Sequence, residues 1–270
     1  MILFPNCKIN LGLYVTSKRP DGYHNLQTCF YPIPLYDALE IIEQGNSTET
    51  TISFSGIPID DVSDNSCLKA YHLLKKDFAD LPSVTIHLHK AIPVGGGLGG
   101  GSADAAFTLL LLNKKFNLGC SEETLLQYAL QLGSDCPFFI KNIPCLARSR
   151  GEILQPIPLE LSAYKIVLIN PGVHVSTSWA FTHITLEEPH LPLEQVFKLP
   201  VSEWKGNLVN VFETPIFNKY PAIREIKETL YHKGAVYAAM TGSGASVYGL
   251  FKKSDAVTFS FPPQYFVKEC

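Results

Sequence analysis

The sequence has no strong charge imbalance, no long apolar run and no paired cysteine motif. Its net charge of −3 over 270 residues gives no support to binding of nucleic acid or of an anionic membrane. The seven cysteines form no C-x-x-C pair, which favours reduced, buried thiols in a cytoplasmic protein. The apolar stretch 108–112 stops at Asn113, far short of a membrane span, and residues 1–5 are too short for a signal peptide.

The composition is that of a folded protein, with 46% hydrophobic and 17% charged residues. Periodicity predicts strands at 7–15, 49–55, 83–89, 165–170 and 247–251, and helices at 66–79, 102–116, 122–132 and 221–232. Residues 25–43 are expected to be extended but interrupted by Pro32 and Pro34. The stretch with Pro156 and Pro158 predicts an N-terminal domain at 1–155 and a C-terminal domain at 156–270, in an α+β chain.

The densest feature is a glycine-rich loop at residues 95–101, in which six of seven residues are glycine. Such a run costs conformational entropy, so it is tolerated where something large must approach the backbone. A strand precedes the loop, and a helix with Ser102 as its predicted N-cap follows it. Free N–H groups and the helix dipole then point at one place, so we predict that the loop binds a phosphate chain.

Other interpretations of this loop are weaker. It is not a P-loop, because no Gly-Lys-Ser/Thr follows it. A G-x-G-x-x-G match is produced by any glycine run, although Glu122 and Glu123 are available as acidic residues. A flexible linker is disfavoured by the apolar flanks. Asp104, in the first turn of the helix, would repel a phosphate, so we expect it to point aside or to act through a metal ion.

Two side chains outside the loop are candidates for chemistry. Lys8 shares one face of a strand with Asn10, and the alternative is a lysine that snorkels at a sheet edge. Asp135 lies in an apolar neighbourhood, where an aspartate needs a partner; the alternative is a helix N-cap. Phosphoryl transfer to a hydroxyl needs a group that accepts or orients the hydroxyl proton. An Asp135–Lys8 pair would supply that group, and the loop with Mg²⁺ would hold the transferring charge.

These segments, in this order, resemble the three motifs of the GHMP kinases. Residues 7–11 are similar to the first motif, 93–106 to the second and 240–246 to the third. The segment Asp21-Gly22-Tyr23-His24 and residues 132–139 resemble the branch that phosphorylates the 2-hydroxyl of a cytidine diphosphate-linked methylerythritol, in non-mevalonate isoprenoid and terpenoid biosynthesis. The resemblance implies a two-lobed α+β fold, with an N-terminal lobe like the second domain of ribosomal protein S5 and a ferredoxin-like C-terminal lobe.

The resemblance also implies roles for individual residues. Asp135 would be the catalytic base and Lys8 its polarising partner. The residues implied to bind ATP are Pro93, Gly95, Gly96, Gly97, Leu98, Gly99, Gly100, Gly101 and Ser102, with Asn65 on the adenine side. The residues implied to bind the substrate are Asn10 at the methylerythritol end, Tyr23 and Phe181 around cytosine, His24 at its edge, and Gly242 and Gly244. Mg²⁺ is implied together with ATP, while its protein ligand is not identified.

Two departures from the family pattern stand out. Ala103 occupies a position where a second serine is common, and the C-terminus, ending at Cys270, is short. The resemblance implies a small-molecule substrate, no nucleic-acid or membrane partner, and a cytoplasmic monomer or weak homodimer. The alternatives are another GHMP kinase, acting on homoserine, mevalonate or a sugar, and a non-catalytic nucleotide-binding module.

Overall fold

The computed structural model describes residues 1–45, 49–59 and 64–270. They form a mixed α/β fold in two compact units that interleave along the chain. Unit 1 comprises Met1–Cys7, Pro34–Val94 and Gly99–Ile143, and unit 2 comprises Lys8–Ile33, Gly95–Leu98 and Pro144–Cys270. The glycine-rich loop therefore contributes residues to both units. The sequence predicted two lobes that follow one another along the chain, with a boundary at 155/156, and that boundary stays a prediction.

Unit 1 is a four-stranded sheet covered by helices. The described strands lie in the order β1-β4-β6-β5; β5 pairs in parallel with β6, while the β1–β4 and β4–β6 pairs are antiparallel. The elements are β1 (Ile2–Leu3), β4 (Ala38–Glu43), β5 (Thr51–Gly56), α1 (Ser66–Asp77), β6 (Val84–Lys90), α2 (Gly100–Phe116), α3 (Glu122–Leu132) and α4 (Cys136–Lys141).

The core of unit 1 follows from the alternation along its strands. In β6 the side chains of Val84, Ile86 and Leu88 are buried, while those between them are more exposed, because successive residues of a strand point to opposite faces. The buried face joins a cluster with Leu109 and Leu112 of α2. Lys90 continues the buried positions of β6, so this strand carries a lysine into the interior.

Unit 2 holds two four-stranded sheets, ordered β2-β3-β7-β8 and β10-β11-β9-β12. Its strands, of which β2 and β3 each have an end in unit 1, are β2 (Asn6–Lys18), β3 (His24–Tyr36), β7 (Cys145–Ser149), β8 (Ile153–Pro156), β9 (Tyr164–Asn170), β10 (Tyr237–Met240), β11 (Val247–Lys252) and β12 (Phe266–Glu269). Its helices are α5 (Thr177–His183), α6 (Leu193–Val196), α7 (Glu213–Lys219), α8 (Pro221–His232) and a 3₁₀ turn at Val201–Glu203.

Two details of the predicted secondary structure were wrong. The helix after the glycine loop begins at Gly100, with Gly99 and not Ser102 as its N-cap, because Gly99 adopts the left-handed conformation that glycine allows. The strand β3 runs through Pro32 and Pro34 without a break. Its pairing with β7 ends at Phe30, so the prolines lie where one edge of β3 has no partner among the described strands, and there proline is tolerated.

The cysteines and the helices bear on two further expectations. All seven cysteines carry free thiols, as predicted, but Cys120 and Cys270 are only half-buried. Within the described ranges, no helix is both long enough and apolar enough to cross a membrane.

Candidate active site

The first half of the glycine-rich loop is fixed in unit 2 by its carbonyl groups. Leu98 O accepts a hydrogen bond from Lys8 N at 3.0 Å, and Gly96 O accepts one from Ser246 N at 3.2 Å. Gly97 O accepts from Lys8 Nζ at 3.3 Å and from Thr241 Oγ1 at 3.2 Å. Since the carbonyls of this segment are used by the protein, its N–H groups are the backbone groups left to face an anion.

The second half of the loop, in unit 1, becomes the first turn of α2. Ala103 N donates to Gly99 O at 2.9 Å, which is the first bond of the helix. The N–H groups of Gly100, Gly101 and Ser102 therefore precede any intrahelical acceptor. Together with the positive end of the dipole, these N–H groups are of the kind that favours an anion. Binding of a phosphate chain by the loop stays a prediction.

Lys8 and Asn10 lie together on β2, on the shared face that the sequence predicted. Lys8 is buried, with 3% of its surface exposed, so the interpretation of a snorkelling edge lysine was wrong. Its Nζ donates to Asn10 Oδ1 at 2.6 Å and lies 4.9 Å from the centre of the Phe30 ring. A lysine held in this way presents its charge in a fixed direction, which a mobile surface lysine does not.

The amide of Asn10 is engaged by the protein itself. Its Oδ1 also accepts from Thr241 Oγ1 at 3.2 Å and from Gly242 N at 3.0 Å, while its Nδ2 donates to Thr28 Oγ1 at 2.9 Å. Three donors thus converge on one oxygen, and Asn10 connects Lys8 with the third glycine motif. The predicted contact of Asn10 with the substrate stays a prediction, to which the structure adds a positioning role.

The third motif packs directly on the loop within unit 2. A Cβ on Gly242 would lie 3.0 Å from Gly97 Cα, and one on Gly244 would lie 2.9 Å from Met240 Sδ. Both glycines have positive φ, 56° and 90°, so a larger residue is disfavoured by conformation as well as by space. The structure thus packs Gly242 against the glycine-rich loop and Gly244 against Met240. The substrate-binding role implied for these two glycines stays a prediction.

Asp135 immediately precedes α4 in unit 1 and is half-buried. It occupies the N-cap position with φ −84° and ψ −17°, but among the described residues its side chain makes no capping hydrogen bond. The alternative interpretation, in which Asp135 caps the helix with its side chain, is therefore not supported. Its neighbour Cys136 is hydrogen-bonded to Ser102, and burial raises the pKa of that thiol to about 12. Asp135 therefore lies between α3 and α4, next in sequence to a residue that contacts Ser102 in the first turn of α2.

Two more predicted residues in unit 1 have structural partners. Asn65 is the N-cap of α1, and its Oδ1 accepts from Cys67 N at 2.8 Å, so its place on the adenine side stays a prediction. Of the two expectations for Asp104, pointing aside or acting through a metal ion, the structure supports the first. The side chain is buried and forms an ion pair with Lys90 at 2.7 Å. Burial raises the pKa of Asp104 to about 7, against the opposing effect of the Lys90 ammonium.

The predicted cytosine-binding residues lie in unit 2. His24 and Phe181 stack with ring centres 4.9 Å apart and an angle of 23° between the rings, although the sequence separates them widely. Tyr23 is 54% exposed, and the Arg150 guanidinium lies 4.8 Å from its ring centre. Desolvation, with a further contribution from the Lys18 charge, lowers the pKa of His24. A neutral imidazole offers one donor and one acceptor, which suits the edge of a nucleobase.

Sequence reasoning missed several residues of these clusters. Lys90 binds Asp104, and Asp37 binds the backbone just before the loop. Thr241 binds Asn10 and Gly97. Phe212 packs edge-on against Phe181. Lys90 had a usable signal, since it falls on the buried parity of the strand that precedes the loop. The contacts of Asp37, Thr241 and Phe212 depend on long-range pairing and carry no local signal.

Comparison with known proteins gives consistent matches. The model of the GHMP kinases N terminal domain matches residues 65–142, and that of GHMP kinases C terminal matches residues 201–259. A 4-diphosphocytidyl-2-C-methyl-D-erythritol kinase of Azobacteroides pseudotrichonymphae is 52% identical over 99% of this chain and 100% of its own length. The protein of that name from Bacteroides fragilis is 54% identical over 96% of this chain and 94% of its own.

A solved structure is also similar. The crystal structure of a 4-(cytidine 5'-diphospho)-2C-methyl-D-erythritol kinase matches with a TM-score of 0.78 and 32% identity, over 93% of this chain and 90% of that one. The chain is therefore a GHMP kinase, and the predicted fold class is confirmed. Within that class it belongs to the family of 4-diphosphocytidyl-2-C-methyl-D-erythritol kinases.

Proposed function

We propose that this protein transfers the γ-phosphoryl group of ATP to the 2-hydroxyl of 4-diphosphocytidyl-2-C-methyl-D-erythritol, a step of non-mevalonate isoprenoid biosynthesis. The observation that carries the proposal is the similarity to kinases of that name, which extends over nearly the whole chain at above 50% identity. It is supported by a glycine-rich loop that opens α2 and by the stacked pair of His24 and Phe181.

The glycine-rich loop binds the phosphates of ATP. The loop and the first turn of α2 supply N–H groups and a positive dipole end to the β- and γ-phosphates. Mg²⁺, when bound with ATP, neutralises phosphate charge. In the described part of the chain, no group of three or more His, Cys, Asp or Glu could hold a metal ion. Mg²⁺ in kinases commonly keeps several waters and binds through substrate phosphates and one or two carboxylates.

Asp135 and Lys8 act on the acceptor. The carboxylate of Asp135 accepts a hydrogen bond from the 2-hydroxyl and takes its proton as the oxygen bonds to the γ-phosphorus. The bond from that phosphorus to the bridging oxygen breaks, and ADP leaves. The Lys8 ammonium, directed by Asn10 and Gly97 O, stabilises the negative charge of the transfer. The family resemblance supports both assignments.

Tyr23, His24 and Phe181 select the cytidine end of the substrate. Stacking of the base against the aromatic rings provides affinity, and a neutral His24 reads the donor and acceptor edge. The proposal also includes a cytoplasmic location and a monomeric or weakly dimeric state, with no nucleic-acid or membrane partner.

The first experiment measures ADP release with MgATP and four acceptors: 4-diphosphocytidyl-2-C-methyl-D-erythritol, homoserine, mevalonate and galactose. Turnover with the cytidyl substrate alone is expected. Turnover with another alcohol would keep the kinase and its glycine loop but contradict the cytidine pocket. ATP binding without turnover of any of the four would leave a nucleotide-binding module.

Replacing Phe181 with alanine is expected to raise KM for the cytidyl substrate. Base stacking on an aromatic ring contributes about 1–3 kcal/mol, so KM should rise roughly 5- to 150-fold while KM for ATP stays within about twofold. The matched control is Phe261→Ala, which removes a half-buried ring that stacks on Phe259 and Tyr265. An unchanged KM for the cytidyl substrate would place the base elsewhere.

The pH dependence of substrate binding should follow His24. Because its pKa lies below the ordinary value of 6.5, His24 is neutral at pH 7 and gains its proton only in more acidic solution. The protonated ring has no acceptor for the cytosine amino group. KM for the cytidyl substrate should therefore be flat between pH 8 and 6.5 and rise below it. His24→Gln, which does not titrate, should remove that rise; a rise that persists would assign it to another group.

A further inference from the structure

Three charged side chains form a buried cluster in unit 1. Lys90 Nζ donates to Asp104 Oδ2 at 2.7 Å and also to Asp37 Oδ2. All three residues are at most 3% exposed. The three residues come from different elements. Asp37 joins β3 to β4, Lys90 ends β6, and Asp104 lies in the opening turns of α2.

The cluster holds the chain on both sides of the glycine-rich loop. Asp37 Oδ1 accepts from Ala91 N at 2.6 Å and from Ile92 N at 2.9 Å, immediately before Pro93. Lys90 holds Asp104, four residues beyond the start of α2. A Cβ placed on Gly100 would lie 3.4 Å from Lys90 Nζ, so the ammonium is packed beneath the first residue of the helix.

Lys90 keeps its charge despite its burial. Burial alone would lower the pKa of Lys90, but the two carboxylates outweigh it and raise that pKa, so the lysine stays charged. Asp104 Oδ1 has no hydrogen-bond partner among the described residues. Buried ion pairs of this kind are often no more stabilising than apolar side chains of similar volume. Stability alone is therefore a weak reason for their presence next to the loop.

We infer that Lys90, held between Asp37 and Asp104, is a positioning residue that fixes both ends of the glycine-rich loop in the conformation that binds the phosphates of ATP. This rests on the proposed function, since it takes the loop as the ATP site. Lys90 acts through the backbone: it does not contact the nucleotide phosphates in this role. Its replacement leaves the amino-acid sequence of the loop unchanged but frees α2 from β6, the strand that leads into the loop.

The test compares ATP and substrate constants in Lys90→Met. KM for ATP, and the dissociation constant of a non-hydrolysable ATP analogue measured by calorimetry, are expected to rise about 10- to 100-fold, because a small displacement of binding groups has effects of that size. KM for the cytidyl substrate should change by less than about threefold. The matched control is Lys141→Met, which removes a lysine paired with Glu122 in the same unit and should leave both constants unchanged.

Substitutions of Asp104 separate positioning from folding. Asp104→Asn keeps an acceptor for Lys90 Nζ and should retain near-normal ATP affinity, whereas Asp104→Leu should weaken ATP binding as Lys90→Met does. A structural role alone would lower the active fraction, and hence kcat, with KM for ATP unchanged, and that result would overturn the inference. If wild-type enzyme itself shows no turnover of the cytidyl substrate, the proposed function fails instead.

A double variant covers the case in which Lys90→Met does not fold because two carboxylates are left buried without their cation. In Lys90→Met/Asp104→Leu the remaining carboxylate, Asp37, keeps its two backbone donors. This variant should fold and bind the ATP analogue weakly. Wild-type affinity in the folded double variant would contradict the inference.

Discussion

Asp135→Ala is expected to lower kcat at least 100-fold while ATP still binds with near-normal affinity. Loss of a positioned proton acceptor typically costs about 10²–10⁴-fold. The side chain makes no capping hydrogen bond to α4 among the described residues, so the helix does not depend on it for its cap. The measurements are steady-state ADP release and calorimetric titration with an ATP analogue.

Two further variants make this result specific. Asp135→Asn keeps the size and polarity of the side chain but takes no proton at neutral pH, so it should be nearly as slow as Asp135→Ala. Asp80→Ala removes an exposed aspartate of the same unit and should turn over like wild type. Wild-type turnover in Asp135→Ala would remove Asp135 from the mechanism.

Local signals in the sequence were sufficient for the loop and its two flanking elements. Alternation predicted β6, and apolar periodicity predicted α2, because each pattern depends only on neighbouring residues. The start of α2 was missed by two residues, because a left-handed Gly99 ends the loop earlier than a serine cap would. Sequence periodicity does not report which of several glycines takes that conformation.

The contacts among site residues were less accessible from the sequence. The shared face of Lys8 and Asn10 follows from strand geometry alone. The convergence of Lys8, Thr241 and Gly242 on Asn10 Oδ1 depends on packing between segments more than 200 residues apart in sequence. In the same way, His24 meets Phe181 only through tertiary structure. Phe181 was named by the family resemblance alone, because no local pattern in the sequence pairs it with His24.

Gly97→Val is expected to weaken ATP binding by about 100-fold or more and to reduce turnover as well. From the sequence, the reason for this loss is that a valine side chain would crowd the path of the phosphates. The structure adds a stronger reason. A Cβ on Gly97 would lie 2.2 Å from Thr241 O, and the residue has φ +76°, where a β-branched side chain is strained. Either the loop or the third motif must move.

That movement would also displace Lys8, because Gly97 O accepts from both Lys8 Nζ and Thr241 Oγ1. We therefore expect kcat to fall together with ATP affinity, unlike the split expected for Asp135→Ala. Gly206→Val is the matched control: Gly206 also has positive φ, +87°, but a Cβ placed on it would meet none of the described residues within 4 Å, its two chain neighbours aside. Gly206→Val reports the cost of backbone strain alone, measured by thermal unfolding. If Gly97→Val bound ATP as tightly as Gly206→Val, the phosphates would have to bind away from this loop, and the roles assigned to Lys90 and its two carboxylates would fail with it.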